Sequence, residues 1–339
     1  MINIRDLAKR AGVSIATVSR VMNHPQHVQA DTRDHVLKVM QETGYVALHG
    51  KKTPKESFRS NLIVLLLSES DYGFYEPIQK GFEAIARERG YCVLFCPLSD
   101  DSARRIQQLT ALCSQRPDGV AYAMRDIFKE DMELFKSFGV PVVLLRKYIY
   151  ADEFYNCCYI NFSEGSYRMT KYLIELGHKK IVLLVEKASF QFVESFRDGW
   201  ERAYRESKLS CSNDWVVHTE NSVEGGYEKS LALMRAGEAP EAFFCASGEL
   251  AFGVLRAARE LKISVPEQIS VSGFTDSAMA HLSEPELTTI DQPIERLGVV
   301  AARMLFDLIE DPGHTILPAQ EIVLQPKIRI RKSCGKHVD

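Results

Sequence analysis

Long apolar runs, clustered cysteines and catalytic signatures are all missing from this 339-residue chain. Its longest core-like run, LIVLLL at 62–67, is strand-sized and falls far short of the ~18 residues that span a bilayer, so no membrane partner is expected. The eight cysteines form no CxxC, and the closest spacings are Cys92 to Cys96 and the adjacent Cys157 and Cys158. Neither a disulfide framework nor a metal site is expected from them, and they read as reduced thiols of a cytoplasmic protein. Asn3, Arg5, Asp6 and Lys9 open the chain with no apolar export signal. GxSxG, HExxH, P-loop and GxGxxG motifs are absent, so an enzyme and a bound cofactor are not expected. His178 and His281 then read as structural or surface groups. What is present is ordinary for a folded protein: 45% hydrophobic and 26% charged residues. The length suits two or three domains at ~100–200 residues each.

The net charge of −3 hides an asymmetry. Residues 1–60 carry ten basic and five acidic side chains, a head of +5 on a body of −8. That layout suits a chain of which only the head meets a polyanion, although a solvated basic surface has the same charge.

In the head, Ile4, Leu7, Ala8 and Ala11 recur at i, i+3, i+4 and i+7, the apolar face of a short helix that Asn3 is placed to cap. Gly12 allows a tight turn, and Ser14 is a strong cap for a second helix over 15–22, which Asn23 and the following His24-Pro25 end. Val18, Val21 and Met22 are expected inside it. A third helix is predicted over 31–43, with Val36, Leu37, Val39 and Met40 as its apolar set and Gly44 as its stop. Two short helices around a glycine turn, the second showing small, hydroxyl and Arg side chains, fit a major-groove reader. Ile15 and Ala16 suit thymine methyls, and Arg20 suits a bidentate bond to guanine worth ~1–3 kcal/mol of discrimination. Ser14, Thr17, Ser19, Asn23 and Thr32 are candidates for phosphate contacts.

From Asn61 onward, strand-like runs alternate with helical patterns. Strands are predicted at 62–67, 91–95, 119–123, 140–145, 181–185, 215–218, 242–245 and 269–273. Helices are predicted at 77–89, 102–114, 165–176, 192–207, 224–234 and 249–261. Such alternation implies parallel sheets covered by helices on both faces, and about 270 residues suit two sheets better than one.

IRDLAKRAGVSIATVSRVMN, then HVQADTRDHVLKVMQETGY, resembles the DNA-binding head of the lactose/galactose repressor (LacI/GalR-type) family. RPDGV at 116–120, YLIELGHKKIVLL at 172–184, ISVPEQISVSGF at 263–274 and LTTIDQP at 287–293 extend the resemblance over nearly the whole chain. It implies an α/β fold class: a small all-α helix-turn-helix head and a periplasmic-binding-protein-like core of two Rossmann-like lobes joined by three crossovers. Residues 1–46 would be the head and 47–60 the linker. The core would span 61–332, with lobe 1 at about 61–160 and 291–322 and lobe 2 at about 161–290 and 323–332. The resemblance further implies a homodimer on a pseudo-palindromic double-stranded operator, a small-molecule effector in the interlobe cleft, Ile15, Ala16 and Arg20 at the base-reading positions, and Asn3 and Tyr45 at phosphates. Loops after strand ends at 67, 160, 185, 245 and 273 should line the cleft. No leucine-heptad tail follows Arg331, so dimers rather than tetramers are expected.

Several cleft positions depart from the family. Phe74 and Tyr75 match its aromatic pair, for stacking on a ligand or for packing a wall. Its Asp before the second lobe is Asn161. Its Arg three residues before a helical Gly falls on Phe196, with Arg197 one residue later. Its aromatic lid position is Asn221, its Asn-Asp pair begins at Ser247, and its Asp after GF is Thr275, with Asp276 next. Loss of these groups makes a free sugar a weaker expectation, since hydroxyl recognition rests on such partners; a one-residue slip that puts Arg197 and Asp276 in place stays open. In the linker, Gly50 lowers helix propensity and Pro54 stands where the family carries its minor-groove Leu. Lys51 and Lys52 are left either to enter the minor groove as flexible cations or to form a solvated tether.

Overall fold

The computed structural model describes residues 4–23, 27–43, 59–69, 76–124, 126–147, 155–187, 190–236, 240–310 and 319–336. Asn3, Tyr45, Lys51, Lys52, Phe74 and Tyr75 lie outside them, as do Gly44 and Pro54. The chain divides into two compact units, 1–59 and 60–339.

The first unit holds α1 (Ile4–Arg10), α2 (Ile15–Asn23) and α3 (Ala30–Thr43). Leu7, Ala8, Ala11, Val18, Val21 and Val36 bury a small common core. This follows from the 3.6-residue period, which puts each helix's apolar residues on one stripe. Leu37 does not join it: it is 48% exposed, because the stripe of α3 passes through Val36, Val39 and Met40.

The second unit is built on two six-stranded sheets. Its chain runs through β1 (Leu62–Ser68), α4 (Glu76–Glu88), β2 (Cys92–Leu98), α5 (Ser102–Ser114), β3 (Gly119–Ala123), α6 (Lys129–Phe138), β4 (Val142–Leu144) and β5 (Cys157–Ile160). It then passes to α7 (Phe162–Glu175), β6 (Ile181–Glu186), α8 (Phe190–Glu206), β7 (Val216–Thr219), α9 (Val223–Arg235), β8 (Ala242–Cys245), α10 (Gly248–Glu260), β9 (Ser270–Gly273), α11 (Ala278–Leu282) and β10 (Thr288–Asp291). α12 (Ile294–Glu310) and β11 (Glu321–Leu324) return to the first lobe, and β12 (Lys327–Arg329) closes the second. The strand orders are β11-β5-β4-β3-β1-β2 and β12-β10-β9-β8-β6-β7. Every pairing is parallel except that of β10 with β12.

Central strands are apolar on both faces because helices cover both; Ile63 to Leu67 of β1 are all buried. Several helix pairs touch through glycine. A Cβ on Gly81 would stand 2.0 Å from the Glu295 carbonyl oxygen and one on Gly298 2.2 Å from that of Ile78, so α4 and α12 approach at backbone distance.

Several details differ from the sequence reading, which predicts no helix over 294–310, where α12 lies. Residues 129–138 form α6, which buries Met132 and Phe135 and ends at Gly139 in the left-handed conformation; its charged residues mask the apolar stripe. The last crossing between lobes falls after Leu324 rather than 322, because Val323 and Leu324 still pair with Tyr159 and Ile160. The second lobe also extends beyond 332. Ser333 and Cys334 are buried, and the Val271 amide donates to the Ser333 carbonyl at 2.8 Å. His178, in the turn after α7, holds the same tail: its Nε2 lies 2.8 Å from Ser270 Oγ and 3.0 Å from the Gly335 carbonyl.

Candidate functional site

In the first unit, Gly12 sits at φ +61° with open space at its Cβ position, and the Val13 amide bonds back to the Ala8 carbonyl at 3.0 Å. This turn separates α1 from α2. Ser14 caps α2, its Oγ accepting from the Thr17 amide at 3.0 Å and lying 2.8 Å from Thr17 Oγ1. The cap satisfies one of the orphan amides at the helix start. With Val18 and Val21 turned inward, Ile15 (44% exposed), Ala16 and Arg20 are left on the open side, and Thr17 and Ser19 are half-buried beside them. Asn23 is the last residue of α2, and Thr32 is half-buried in the first turn of α3. An exposed β-branched apolar residue, a small residue and an Arg on one short helix form a surface that can enter a groove and bond base edges.

In the second unit, the carboxyl ends of the strands define the floor of each lobe. On the first lobe, Ser68 Oγ donates to Asp100 at 3.2 Å and Ser99 Oγ to Glu69 at 3.2 Å. Arg146, just past β4, lies 6.0 Å from the ring of Phe162, the first residue of α7. On the second lobe, Ser247 Oγ donates to Asn221 Oδ1 at 2.6 Å, which joins the loops after β7 and β8. Thr275 follows β9, its hydroxyl on its neighbour's carbonyl at 2.6 Å.

Four other expected cleft residues are otherwise employed. Asn161 caps α7, its Oδ1 accepting from the Glu164 amide at 3.0 Å. Phe196 is fully buried and packs with Phe162, Phe244 and Phe274, meeting Phe274 edge-on at 4.6 Å. Arg197 reaches Glu201 at 2.8 Å and Asn213 at 2.6 Å, before the amino-terminal end of β7 and so away from the carboxyl edge. Its pKa is pushed up, chiefly by the bond to Glu201. Asp276 is held by Arg331 and by Thr289, whose Oγ1 donates at 2.9 Å. Arg197 and Asp276 both therefore already have intramolecular partners.

Gln292 was overlooked by sequence reasoning, although it stands in the LTTIDQP segment. At the crossing from β10 to α12 it is 9% exposed. Its Nε2 donates to the Phe274 carbonyl at 2.7 Å, while its Oε1 is buried with no partner among the described residues.

A helix-turn-helix unit followed by two parallel-sheet lobes joined at three crossings is the build of a ligand-responsive DNA-binding regulator. Residues 3–47 match the model of bacterial regulatory proteins of the lacI family, and 170–334 that of the periplasmic binding protein-like domain. The HTH-type transcriptional repressor PurR of Vibrio vulnificus is 31% identical, with 99% of each chain covered. A solved complex of the transcriptional regulator CelR with cellobiose is 26% identical with a TM-score of 0.73, covering 98% of this chain and 99% of that one. A LacI family regulator from Enterococcus faecium with bound ribose is also 26% identical, with a TM-score of 0.71, covering 81% of this chain and 99% of that one. The chain belongs to the lacI family of bacterial regulatory proteins, a family of transcription regulators. No helix among the described residues is long and apolar enough to cross a membrane.

Proposed function

We propose that the protein is a cytoplasmic, non-enzymatic repressor that binds a pseudo-palindromic operator as a homodimer and answers to a small molecule held between its lobes. The exposed face of α2 carries this reading: Ile15, Ala16 and Arg20 are free of the core while the helix is anchored by Val18 and Val21. Arg20 reads guanine, Ile15 and Ala16 meet thymine methyls, and the hydroxyls of Ser14, Thr17, Ser19 and Thr32 set register on phosphates. Asn3, Asn23 and Tyr45 add phosphate contacts, and Lys51 and Lys52 track the minor groove from the linker.

The effector contacts Asn221 and Ser247, and Phe74 and Tyr75, outside the described residues, are further candidates from the sequence. The Gln292 oxygen, unmet among the described residues, would suit the hydrogen-bond donor of a ligand that reached it. With Arg197 and Asp276 committed to intramolecular partners, a polyhydroxylated free sugar has few charged groups left to hold it.

Selection of bound duplexes from a random pool tests the DNA reading. Recovery of one two-fold-related motif is expected, and recovery of no motif, with or without cell metabolites added, would overturn it. A thermal-shift screen of sugars, sugar phosphates, purines and nucleosides tests the cleft.

A further inference from the structure

Where the chain passes between the lobes, a concavity of about 180 Å³ is lined by Asp291, Pro293, Arg296, Leu324, Gln325, Lys327 and Arg329. Asn221, Ser247 and Thr275 do not line it, and its walls come from both lobes. Arg296 stands in the first turn of α12 on the first lobe, Asp291 ends β10, and Lys327 and Arg329 belong to β12 of the second.

The charges are unevenly matched. Arg329 bonds Asp291 through Nε at 3.0 Å and Nη2 at 2.7 Å, which occupies the concavity's one carboxylate. Glu295, next to Arg296, turns to Lys80 at 3.2 Å. Among the described residues, neither Arg296 nor Lys327 has an ion-pair partner. The lining thus carries a net charge of +2, and the first turn of a 17-residue helix adds its positive end. The concavity, of about 180 Å³, has room for a phosphate group.

We propose that this concavity is a second small-molecule site, which takes a phosphate monoester in its dianionic form. Arg296 from one lobe and Lys327 from the other grip the phosphate oxygens together, with Arg329 beside them. Because each lobe supplies one unpaired cation, the bound dianion ties the lobes at their crossings and favours one angle between them. Because the effector is held between the same lobes, occupancy of this site and of the cleft would be coupled through that angle.

Calorimetric titration of the full-length protein with inorganic phosphate and with glycerol 3-phosphate, at constant ionic strength set by chloride, tests this. Saturable binding of one anion per chain is expected for both. It should weaken about tenfold or more in the R296Q/K327Q double variant, a loss of about 1.4 kcal/mol or more at that factor. Both side chains are exposed, so the variant should keep the wild-type far-UV circular dichroism and unfolding midpoint in chloride. Binding should also fall below about pH 6, where a phosphate monoester takes up its second proton while the cations keep theirs. Equal affinity in the double variant, or heats no larger than those of added chloride, would overturn the proposal. Neither readout involves operator DNA or the cleft, so failure here leaves the repressor reading standing, and failure there leaves this one.

Discussion

Arg105 and Asp131 form a fully buried ion pair at the carboxyl edge of the first sheet, with Arg105 Nε 3.1 Å and 3.2 Å from the two carboxylate oxygens. The pair links the first turns of α5 and α6. Tyr122 of β3 donates to Asp131 at 2.7 Å, and Phe128 lies against the guanidinium at 3.5 Å. Burial raises the Asp131 pKa, against the opposing pull of Tyr122 and Arg105. Arg105→Met would strand a charge in the interior, so a loss of about 3–5 kcal/mol is expected in urea unfolding. Adding Asp131→Leu should recover much of it, because an apolar pair carries no desolvation debt. A double variant as unstable as the sum of the two single ones would refute this account.

Arg20→Ala should abolish discrimination between operator and random duplex while leaving the weak, salt-sensitive binding. Lys51→Ala with Lys52→Ala should do the reverse, keeping sequence preference and flattening the salt dependence by up to about two counterions per subunit. Gel-shift titrations over a range of salt concentrations separate the two. If Arg20→Ala weakens both duplexes by the same factor, its base-reading role falls.

The α4–α12 contact makes a sharp packing test. Gly298→Ala gains helix propensity of up to about 1 kcal/mol, yet its Cβ would sit 2.2 Å from the Ile78 carbonyl oxygen and 2.9 Å from the Phe82 nitrogen. A net loss of about 1–3 kcal/mol is expected as the helices part. Gly248→Ala, whose nearest neighbour would be 3.5 Å away, should be close to neutral. Thermal unfolding midpoints of the two variants decide it.

Glu164, in the first turn of α7, accepts from Arg168 at 2.8 Å and Arg202 at 2.6 Å. Burial alone would raise its pKa, and the two guanidinium groups overcome that and bring it below the ordinary carboxylate value. A carboxyl lowered on folding contributes stability above its unfolded pKa and loses it as pH falls through the folded one. Glu164→Gln should therefore cost about 1–2 kcal/mol near neutrality, with the gap to wild type closing in acid below the usual carboxylate range. A pH-independent gap in urea midpoints would contradict this.

All eight cysteines are unpaired, and only Cys92 and Cys211 are exposed. Burial pushes the Cys113 and Cys157 thiols up to about 11 and the Cys158 and Cys334 thiols to about 12. Since the thiolate is the nucleophile, brief alkylation at pH 8 should mark Cys92 before the buried thiols, which should react only on unfolding. Early labelling of Cys158 or Cys334, read by peptide mass spectrometry, would count against this packing.

Elements with clear punctuation were legible from the residues alone. α5 spans 102–114 as predicted, because Asp101 caps it, its carboxylate accepting from the Arg104 amide. β3 and β8 likewise match at 119–123 and 242–245. The outward face of α2 followed from period and size alone. The cleft was harder for a geometric reason: neighbouring residues on a helix point about 100° apart. That single step sends Phe196 into an aromatic core and Arg197 to Glu201 and Asn213. The unmet oxygen of Gln292 has no sequence signature, since it depends on which side chains fail to reach it.

Because α12 and β11 rejoin the first lobe after the chain has already built most of the second, no uninterrupted stretch of the polypeptide encodes either lobe whole. A fragment that stops at the first crossing lacks the helix that packs on α4, and one that starts there carries that helix without its partner. Isolating one lobe would require splicing distant stretches of coding sequence. Duplication or exchange of this unit between genes therefore favours transferring both halves at once.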